Sequence, residues 1–347
     1  SCAWSVMRAS SDGPRWKQAA HVTSAHGVAS RPGAFKFLPP PPLSPARAVP
    51  VRARRSETLR SFPVFLIIGY VIILAASLGT YAVHGSLAAL WVPMEYLAII
   101  GLMIGGFVAG NGPKAIKGTL GSLSLAVKGS KYNKALYVDL LALLFEILAK
   151  VRKEGLMSIE NDIENPDSSP IFSKYPSVAA DHHAVEFMTD YLRMMVGGNL
   201  NAFEIENLMD MEIETHHQEA HQAPHVVSKV ADAVPAFGIV VAVMGVVNVM
   251  GSVGQPPAVL GKMIGGALVG TFLGILVSYG FVAPIASQLE QKVEESGKIY
   301  QVIKVVLLAS MNGYAPQVAV EFGRKVLYST DRPGFAELEQ EIKNRKG

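Results

Sequence analysis

The order of apolar and polar residues divides the chain into two apolar hairpins with a long charged segment between them. Each of four apolar stretches is near or above the roughly 20 residues that a helix needs to cross the hydrocarbon core of a membrane. They predict spans at residues 64–83, 94–110, 230–250 and 259–286. The pattern therefore predicts an all-α integral membrane protein. Its four transmembrane helices form two hairpins, with a large helical cytoplasmic domain between them and a helical C-terminal tail.

Charged residues predict the orientation of these spans. The loops inside the hairpins, 84–93 and 252–260, contain no Lys, Arg, Asp or Glu, whereas residues 111–228 contain ten basic and sixteen acidic residues. Short uncharged loops are typical of the outer side of a membrane, and basic flanks of the cytoplasmic side. We therefore expect the central segment and both termini to be cytoplasmic. The basic flank of the first hairpin consists of Lys114, Lys117, Lys128, Lys131 and Lys134.

The same patterns set the predicted domain limits. They are a leader at 1–63, the first hairpin at 64–110, a cytoplasmic domain at 111–228, the second hairpin at 229–288 and a tail at 289–347.

The leader differs from the rest of the chain in composition. It holds ten basic and two acidic residues and nine of the 21 prolines, and without it the net charge changes from +3 to −5. A basic surface for nucleic acid is therefore not expected in the remainder, and the leader is predicted to be disordered. Translation from Val64, through a GUG start codon, is the favoured explanation; an Arg-rich transit peptide is the alternative, which Asp12 weakens. The only cysteine is Cys2, so no disulfide is possible within one chain.

Glycine and proline predict how the spans pack. Glycines four residues apart allow helix backbones to approach closely in a bundle or an oligomer, although membrane helices are also rich in glycine generally. Pro235 removes a backbone hydrogen bond, which predicts a kink and a carbonyl group that needs another partner. Asp232 is either a candidate ion entry or an acidic group that interacts with the helix dipole. The glycine pairs are at 101/105, 106/110 and 266/270/274.

Ionisable residues are missing from the middle of every predicted span. Glu95 and Lys262 are expected near the outer interface, where long side chains reach water easily. A carrier of protons or sodium ions needs a titratable or coordinating group at mid-depth. If this protein conducts ions, a partner subunit must supply that group.

The charged segment begins with an amphipathic helix predicted at 132–155. This helix ends with Arg152 and Lys153, and an acidic turn follows at 158–166. Both signs of charge thus lie close together, either as an electrostatic docking site for a charged partner or as a solvated surface with weak ion pairs.

The sequence from His216 to His225 contains four histidines that resemble metal ligands. His217 and His221 are one helical turn apart, but the residue after His217 is Gln218 and not the Glu of the metalloprotease pattern. We therefore predict a polar helix without a metal ion and keep a metal site as the alternative. No phosphate-binding loop, zinc motif or nucleophile elbow occurs, so no enzyme activity and no cofactor are expected.

Several long stretches resemble the MotA family of flagellar stator proteins. The resemblance covers both hairpins, the segment between them and the tail. It implies an inner-membrane proton channel that works with MotB, forms a homo-oligomeric ring and exerts torque on the rotor protein FliG. The ion-carrying aspartate of this family belongs to MotB, which agrees with the empty predicted spans. The stretches are KYNKALYVDLLALL (131–144), ENDIENP (160–166), FEIENLMDMEIE (203–214), PAFGIVVAVMG (235–245), VGTFLGILVSYG (269–280) and NGYAPQVAVEFGRK (312–325).

The resemblance also implies roles for individual residues. Contact with FliG falls at Arg152 and Glu160. Coupling of ion passage to movement falls at Pro235 and Pro284, and the lining of the ion path includes Thr271 and Ala242. The additional charges of Lys153 and Glu154, and the cation of Lys262, depart from what the family implies. The role of Lys262 is unexplained.

Three other interpretations stay open. Sodium could replace the proton, although the scarcity of hydroxyl groups in the third span favours protons. An energiser of envelope transport similar to ExbB or TolQ would not contact FliG. A non-conducting scaffold or a cytoplasmic metal-binding protein would tolerate the loss of Pro235.

Overall fold

The computed structural model describes residues 61–198 and 201–346. The predictions for the leader, namely disorder and a start near Val64, therefore lie almost entirely outside the described residues. Within the described ranges, the chain forms α-helices joined by short turns. The helices are α1 (Ser61–His84), α2 (Pro93–Gly110), α3 (Pro113–Val127), α4 (Lys134–Glu154), α5 (Glu160–Glu164), α6 (Pro176–Ala179), α7 (His182–Gly197), α8 (Ala202–Met250), α9 (Pro257–Val277), α10 (Ala283–Met311), α11 (Pro316–Val326) and α12 (Phe335–Lys346).

Four helical stretches of the described chain are long and apolar enough to cross a membrane: Val64–Val83, Leu87–Gly110, Ala202–Met250 and Pro257–Met311. The number and order of the spans agree with the sequence pattern. Most apolar side chains of α1 are exposed within the single chain, as expected for a helix that faces lipid or another subunit.

The third and fourth spans are parts of much longer helical stretches. α8 continues for 49 residues, from the segment between the two hairpins to the loop before α9. Its start is fixed by a capping box, in which the Asn201 side chain accepts a hydrogen bond from the Glu204 backbone and the Glu204 side chain accepts one from the Asn201 backbone. A single turn of π-helix, Ser278–Val282, joins α9 to α10 without a break. The predicted domain limits at 228 and 288 thus fall inside continuous helices.

The cytoplasmic part has its own apolar core, built from α4, α7, α10, α11 and the first turns of α8. The sequence pattern predicted that only one face of α4 is apolar and buried. In the structure, however, the residues from Leu140 to Leu144 are almost completely buried all around the helix. α11 approaches α4 and α10 closely at Gly323, where an added Cβ would overlap the Val306 side chain and lie 3.0 Å from Leu141 Cδ2. α4 is therefore the central helix of this core.

An ion pair anchors the end of the chain to this core. The buried Arg324 guanidinium donates two hydrogen bonds to the Glu321 carboxylate and one to the Pro333 carbonyl. The hydrogen bonds from Arg324 hold the pKa of Glu321 below its usual value. Glu321 is thus ionised near neutral pH, and the stability that this pair contributes is lost only as the pH falls through the lowered pKa.

In the membrane part, α8 and α9 touch backbone to backbone. A Cβ added to Gly274 would lie 2.8 Å from Gly238 Cα and 3.1 Å from the Val234 carbonyl oxygen. The prediction that Gly274 allows close helix packing is confirmed within this pair. By contrast, no described atom lies within 4 Å of a Cβ added to Gly101, Gly105 or Gly110.

Candidate functional site

The helix-breaking effect of Pro235 is compensated by a side chain of the neighbouring helix. Pro235 has no N–H, so the carbonyl of Ala231, four residues earlier, has no partner within α8. The Ser278 hydroxyl donates a hydrogen bond to this carbonyl oxygen over 2.6 Å, and Ser278 is completely buried. The predicted need for another partner is thus met by the first residue of the π-turn.

The second proline of the predicted pair lies at the other end of the same turn. Pro284 is near the start of α10, directly after the π-turn. π-turns inside helices are rare and frequent at functional sites. The Tyr70 hydroxyl of α1 donates a hydrogen bond of 2.9 Å to the Phe281 carbonyl in this turn. We call the residues Ala231, Pro235, Ser278 and Pro284 the proline junction.

The two residues predicted to line the ion path lie on opposite sides of the contact between α8 and α9. Ala242 is on α8, and Thr271 on α9 follows Gly270; both are half-buried. A Cβ added to Gly270 would lie 3.5 Å from the Ala242 nitrogen. The structure thus places the backbone of Ala242 against Gly270, the residue before Thr271.

Glu95 reaches the same place from the first turn of α2. A Cβ added to Gly270 would lie 3.3 Å from Glu95 Oε2, and one added to Gly245 would lie 3.8 Å from Glu95 Oε1. Gly245 lies five residues before the end of α8, which is about 7.5 Å along the helix axis. Ala242 lies about 12 Å before the same end. The sequence alone could not show that Glu95 contacts α8 and α9, because these contacts depend on how α2 packs.

Asp232, the candidate ion entry, is exposed on α8 between Ala231 and Pro235 of the proline junction. It borders an open cleft of about 730 Å³ between α8 and α10. Glu290, Ser287 and His225 also line this cleft. The cleft brings water and polar groups up to the residues that precede Pro235.

The two predicted rotor contacts lie at one exposed tip of the cytoplasmic part. Arg152 is in the last turn of α4 and Glu160 is the first residue of α5; both side chains are exposed. Neither forms a hydrogen bond or ion pair within residues 61–198 and 201–346. The chain turns between them at Gly155, whose φ of +88° disfavours any other residue.

A buried carboxylate holds this tip in place. Asp162 in α5 accepts a hydrogen bond of 2.7 Å from Lys150 of α4 and one of 2.6 Å from the buried Ser169 hydroxyl. Since Asp162 and Lys150 are satisfied inside the fold, the charges of Arg152 and Glu160 are available to a partner. We call residues 152–160 the charged tip.

Comparison with known proteins shows the family to which this chain belongs. Residues 67–155 match the family described as Motility protein A N-terminal, and residues 179–301 match the MotA/TolQ/ExbB proton channel family. The chain is 52% identical over 281 residues to Motility protein A of Escherichia coli (strain K12), which covers 81% of this chain and 95% of that protein. The chain belongs to the MotA family.

Solved structures of MotA complexes have the same fold. The flagellar MotAB stator complex from Bacillus subtilis matches with a TM-score of 0.60 and 26% identity over 74% of this chain and 92% of that chain. A C. jejuni MotAB structure matches with a TM-score of 0.64 and 20% identity over 78% and 98%. Membership of the MotA family makes this chain a flagellar stator proton-channel subunit, and with its four apolar helices a multi-pass inner-membrane protein.

Proposed function

We propose that this MotA chain forms a proton channel together with MotB in a homo-oligomeric ring, and that the ring delivers torque to FliG. The observation that carries this proposal is the continuity of α8, which runs from the cytoplasmic core through Pro235 to Ala242. A movement caused by ion passage near Ala242 therefore reaches the cytoplasmic domain through one unbroken helix. The solved relatives are described as MotAB complexes, which supports a MotB partner.

The proposed transported ion is the proton, carried by an aspartate of MotB past Thr271 and Ala242. A charge that crosses the membrane potential releases about 2.3 kcal/mol per 100 mV. Glu95 lies beside these two residues and contributes an ionisable group of this chain's own on the outer side of the path. Asp232 and its cleft form the cytoplasmic mouth.

The proline junction is the proposed coupling element. Protonation of the partner carboxylate changes what α8 and α9 contact, and the two helices meet again at the hydrogen bond between Ser278 and Ala231. A turn of π-helix and a proline both leave a helix with fewer internal hydrogen bonds. The junction is therefore the place where α8 and the α9–α10 stretch bend with least cost.

The charged tip is the proposed rotor contact. With this arrangement, the outer loops face the periplasm, both termini are cytoplasmic, and the tip projects from the cytoplasmic core toward FliG. The role is transport and force generation, with no catalytic residue, no resident cofactor and no nucleic-acid partner. Exposed charges favour fast and reversible contact. Such contact suits a rotor whose FliG subunits move past the charged tip one after another.

Charge reversal at the tip tests this proposal. Arg152→Glu or Glu160→Lys should reduce swimming speed strongly while the protein still inserts into the membrane, because both side chains are exposed and support no other contact. Glu339→Lys on α12 is the control: it reverses an exposed charge far from the tip, loses only a solvent-exposed ion pair with Lys343, and should swim normally. Normal swimming of both tip variants would instead favour an energiser similar to ExbB or TolQ, or a merely solvated surface.

A further inference from the structure

The structure separates the four histidines of residues 216–225 into different environments. His216 shares a hydrogen bond of 3.1 Å with the Tyr300 hydroxyl, and His225 lies exposed at the cleft. His217 and His221 face each other instead, with ring centroids 4.1 Å apart. Both rings point toward Glu294 on α10.

The three side chains bring their ligand-type atoms close together. Glu294 Oε1 lies 3.4 Å from His221 Nε2 and 4.0 Å from His217 Nε2. One ligand atom from each residue lies within 4.8 Å of the others. Ligand atoms around a tetrahedral zinc ion are roughly 3.4 Å apart, because zinc bonds to nitrogen and oxygen are about 2.0–2.2 Å long. The cluster needs only small side-chain movements to reach this spacing.

The hydrogen bonding of the cluster is incomplete. His221 Nε2 is buried and has no hydrogen-bond partner among the described residues, although a Glu294 oxygen is only 3.4 Å away. A buried polar atom without a partner is costly and calls for an explanation. A cation between the imidazoles and the carboxylate would satisfy all three groups at once.

We propose that His217, His221 and Glu294 bind one divalent transition-metal ion of the zinc class. Two imidazoles and a carboxylate are a ligand set that zinc prefers, and an open fourth position suits water. The side chains of His217 and Glu294 are 41% and 50% exposed, so water reaches the site. This goes against the sequence-based expectation of a polar helix without metal, which had no means of placing Glu294 beside the histidines.

The position of the site gives the ion a mechanical effect. His221 precedes Pro235 by fourteen residues on α8, and Glu294 follows Pro284 by ten residues on α10. A bound ion therefore ties together the two helical arms that leave the proline junction on its cytoplasmic side. It stabilises one relative position of α8 and α10.

Titration of the full-length protein in detergent, purified with a non-histidine tag and stripped with a chelator, tests the proposal. Zn²⁺ should bind with a stoichiometry of one per chain in calorimetry and raise the thermal unfolding temperature. His221→Gln, His217→Gln and Glu294→Gln should each weaken binding by at least about tenfold, since even indirect partners of metal ligands cost 10–100-fold. Circular dichroism without metal verifies that each variant is folded.

His225→Gln is the matched control, because it removes a neighbouring exposed histidine one helical turn beyond His221. It should bind Zn²⁺ like the unchanged protein. Absence of stoichiometric binding would overturn the proposal, and so would an equal loss in His225→Gln. If Glu294→Gln kept full affinity and the full rise in unfolding temperature, an ion that bridges α8 and α10 would be excluded.

Discussion

At the scale of single residues, the proline junction depends on one hydroxyl group. Pro235 could be recognised in the sequence as a source of an unpaired carbonyl, and that prediction is confirmed at Ala231. The donor, Ser278, could not be found in the same way. It is 47 residues away, and serines inside membrane helices usually bond to their own helix, as Ser77 does to the Ile73 carbonyl here.

Ser278→Ala should destabilise the protein. It leaves the buried Ala231 carbonyl without a partner, which costs about 1–3 kcal/mol, and it should lower both the unfolding temperature in detergent and swimming speed. Ser252→Ala, just after the end of α8, removes only a long hydrogen bond of 3.4 Å to the Asn248 carbonyl; it is the control and should change little. An unchanged unfolding temperature in Ser278→Ala would show that water or a relaxed backbone replaces the hydroxyl.

Glu95→Gln should lower proton flux while the fold is preserved, since the amide has nearly the same shape but cannot carry a proton. The flux is measured as acidification of cells that express this chain with MotB, and the unfolding temperature serves as the check on the fold. Lys262→Gln is the control, because Lys262 is an exposed charge near the outer end of α9. Full proton flux in Glu95→Gln would remove Glu95 from the path and leave it as a packing residue.

At the scale of elements, the number and order of the spans could be predicted from the sequence, but the lengths of the helices that contain them could not. Charged and apolar residues mark where a span leaves the membrane. They do not mark where its helix ends, because α8 and α10 continue beyond that boundary. Prolines such as Pro224 and Pro235 often mark the end of a helix, but neither ends a helix here. Both lie inside α8. The capping box at Asn201, by contrast, is a local signal and marks the true start.

Gly274→Ala should separate α8 from α9. The new Cβ would lie 2.8 Å from Gly238 Cα and 3.1 Å from a backbone oxygen, and backbone atoms cannot move aside as a flexible side chain can. Overpacking of this kind costs about 1–3 kcal/mol, so the unfolding temperature and motility should both fall. Gly265→Ala, on the same helix with no described atom within 4 Å of the new Cβ, should be neutral. Equal behaviour of the two variants would contradict the backbone contact.

At the scale of the whole molecule, the residues named from the sequence fall into three separate places: the α8–α9 contact, the proline junction and the charged tip. Motif resemblance located each of them, since residue types and local spacing survive in a single sequence. What could not be predicted are the relations between distant segments, such as Glu95 beside Gly270 or Glu294 beside His221. These depend on helix packing, which no local pattern encodes.

The orientation of the chain is tested by labelling single cysteines in a Cys2→Ser background. Gln255→Cys, in the loop between α8 and α9, should react with a membrane-impermeant thiol reagent added to intact cells. Ser158→Cys, in the charged tip, should react only after the membrane is permeabilised. The opposite pattern would place the termini and the tip outside and exclude contact with a cytoplasmic rotor.

The length of α8 has a consequence for the size of the movements that the protein can produce. From Pro235 to Ala202 the helix covers 33 residues, which is about 50 Å at 1.5 Å per residue. A tilt of about 5° at the proline moves the far end by roughly 4 Å, according to the same helix geometry. If α8 tilts about Pro235 as one rigid helix, a small angular change at the proline becomes a displacement of several ångströms at the cytoplasmic core.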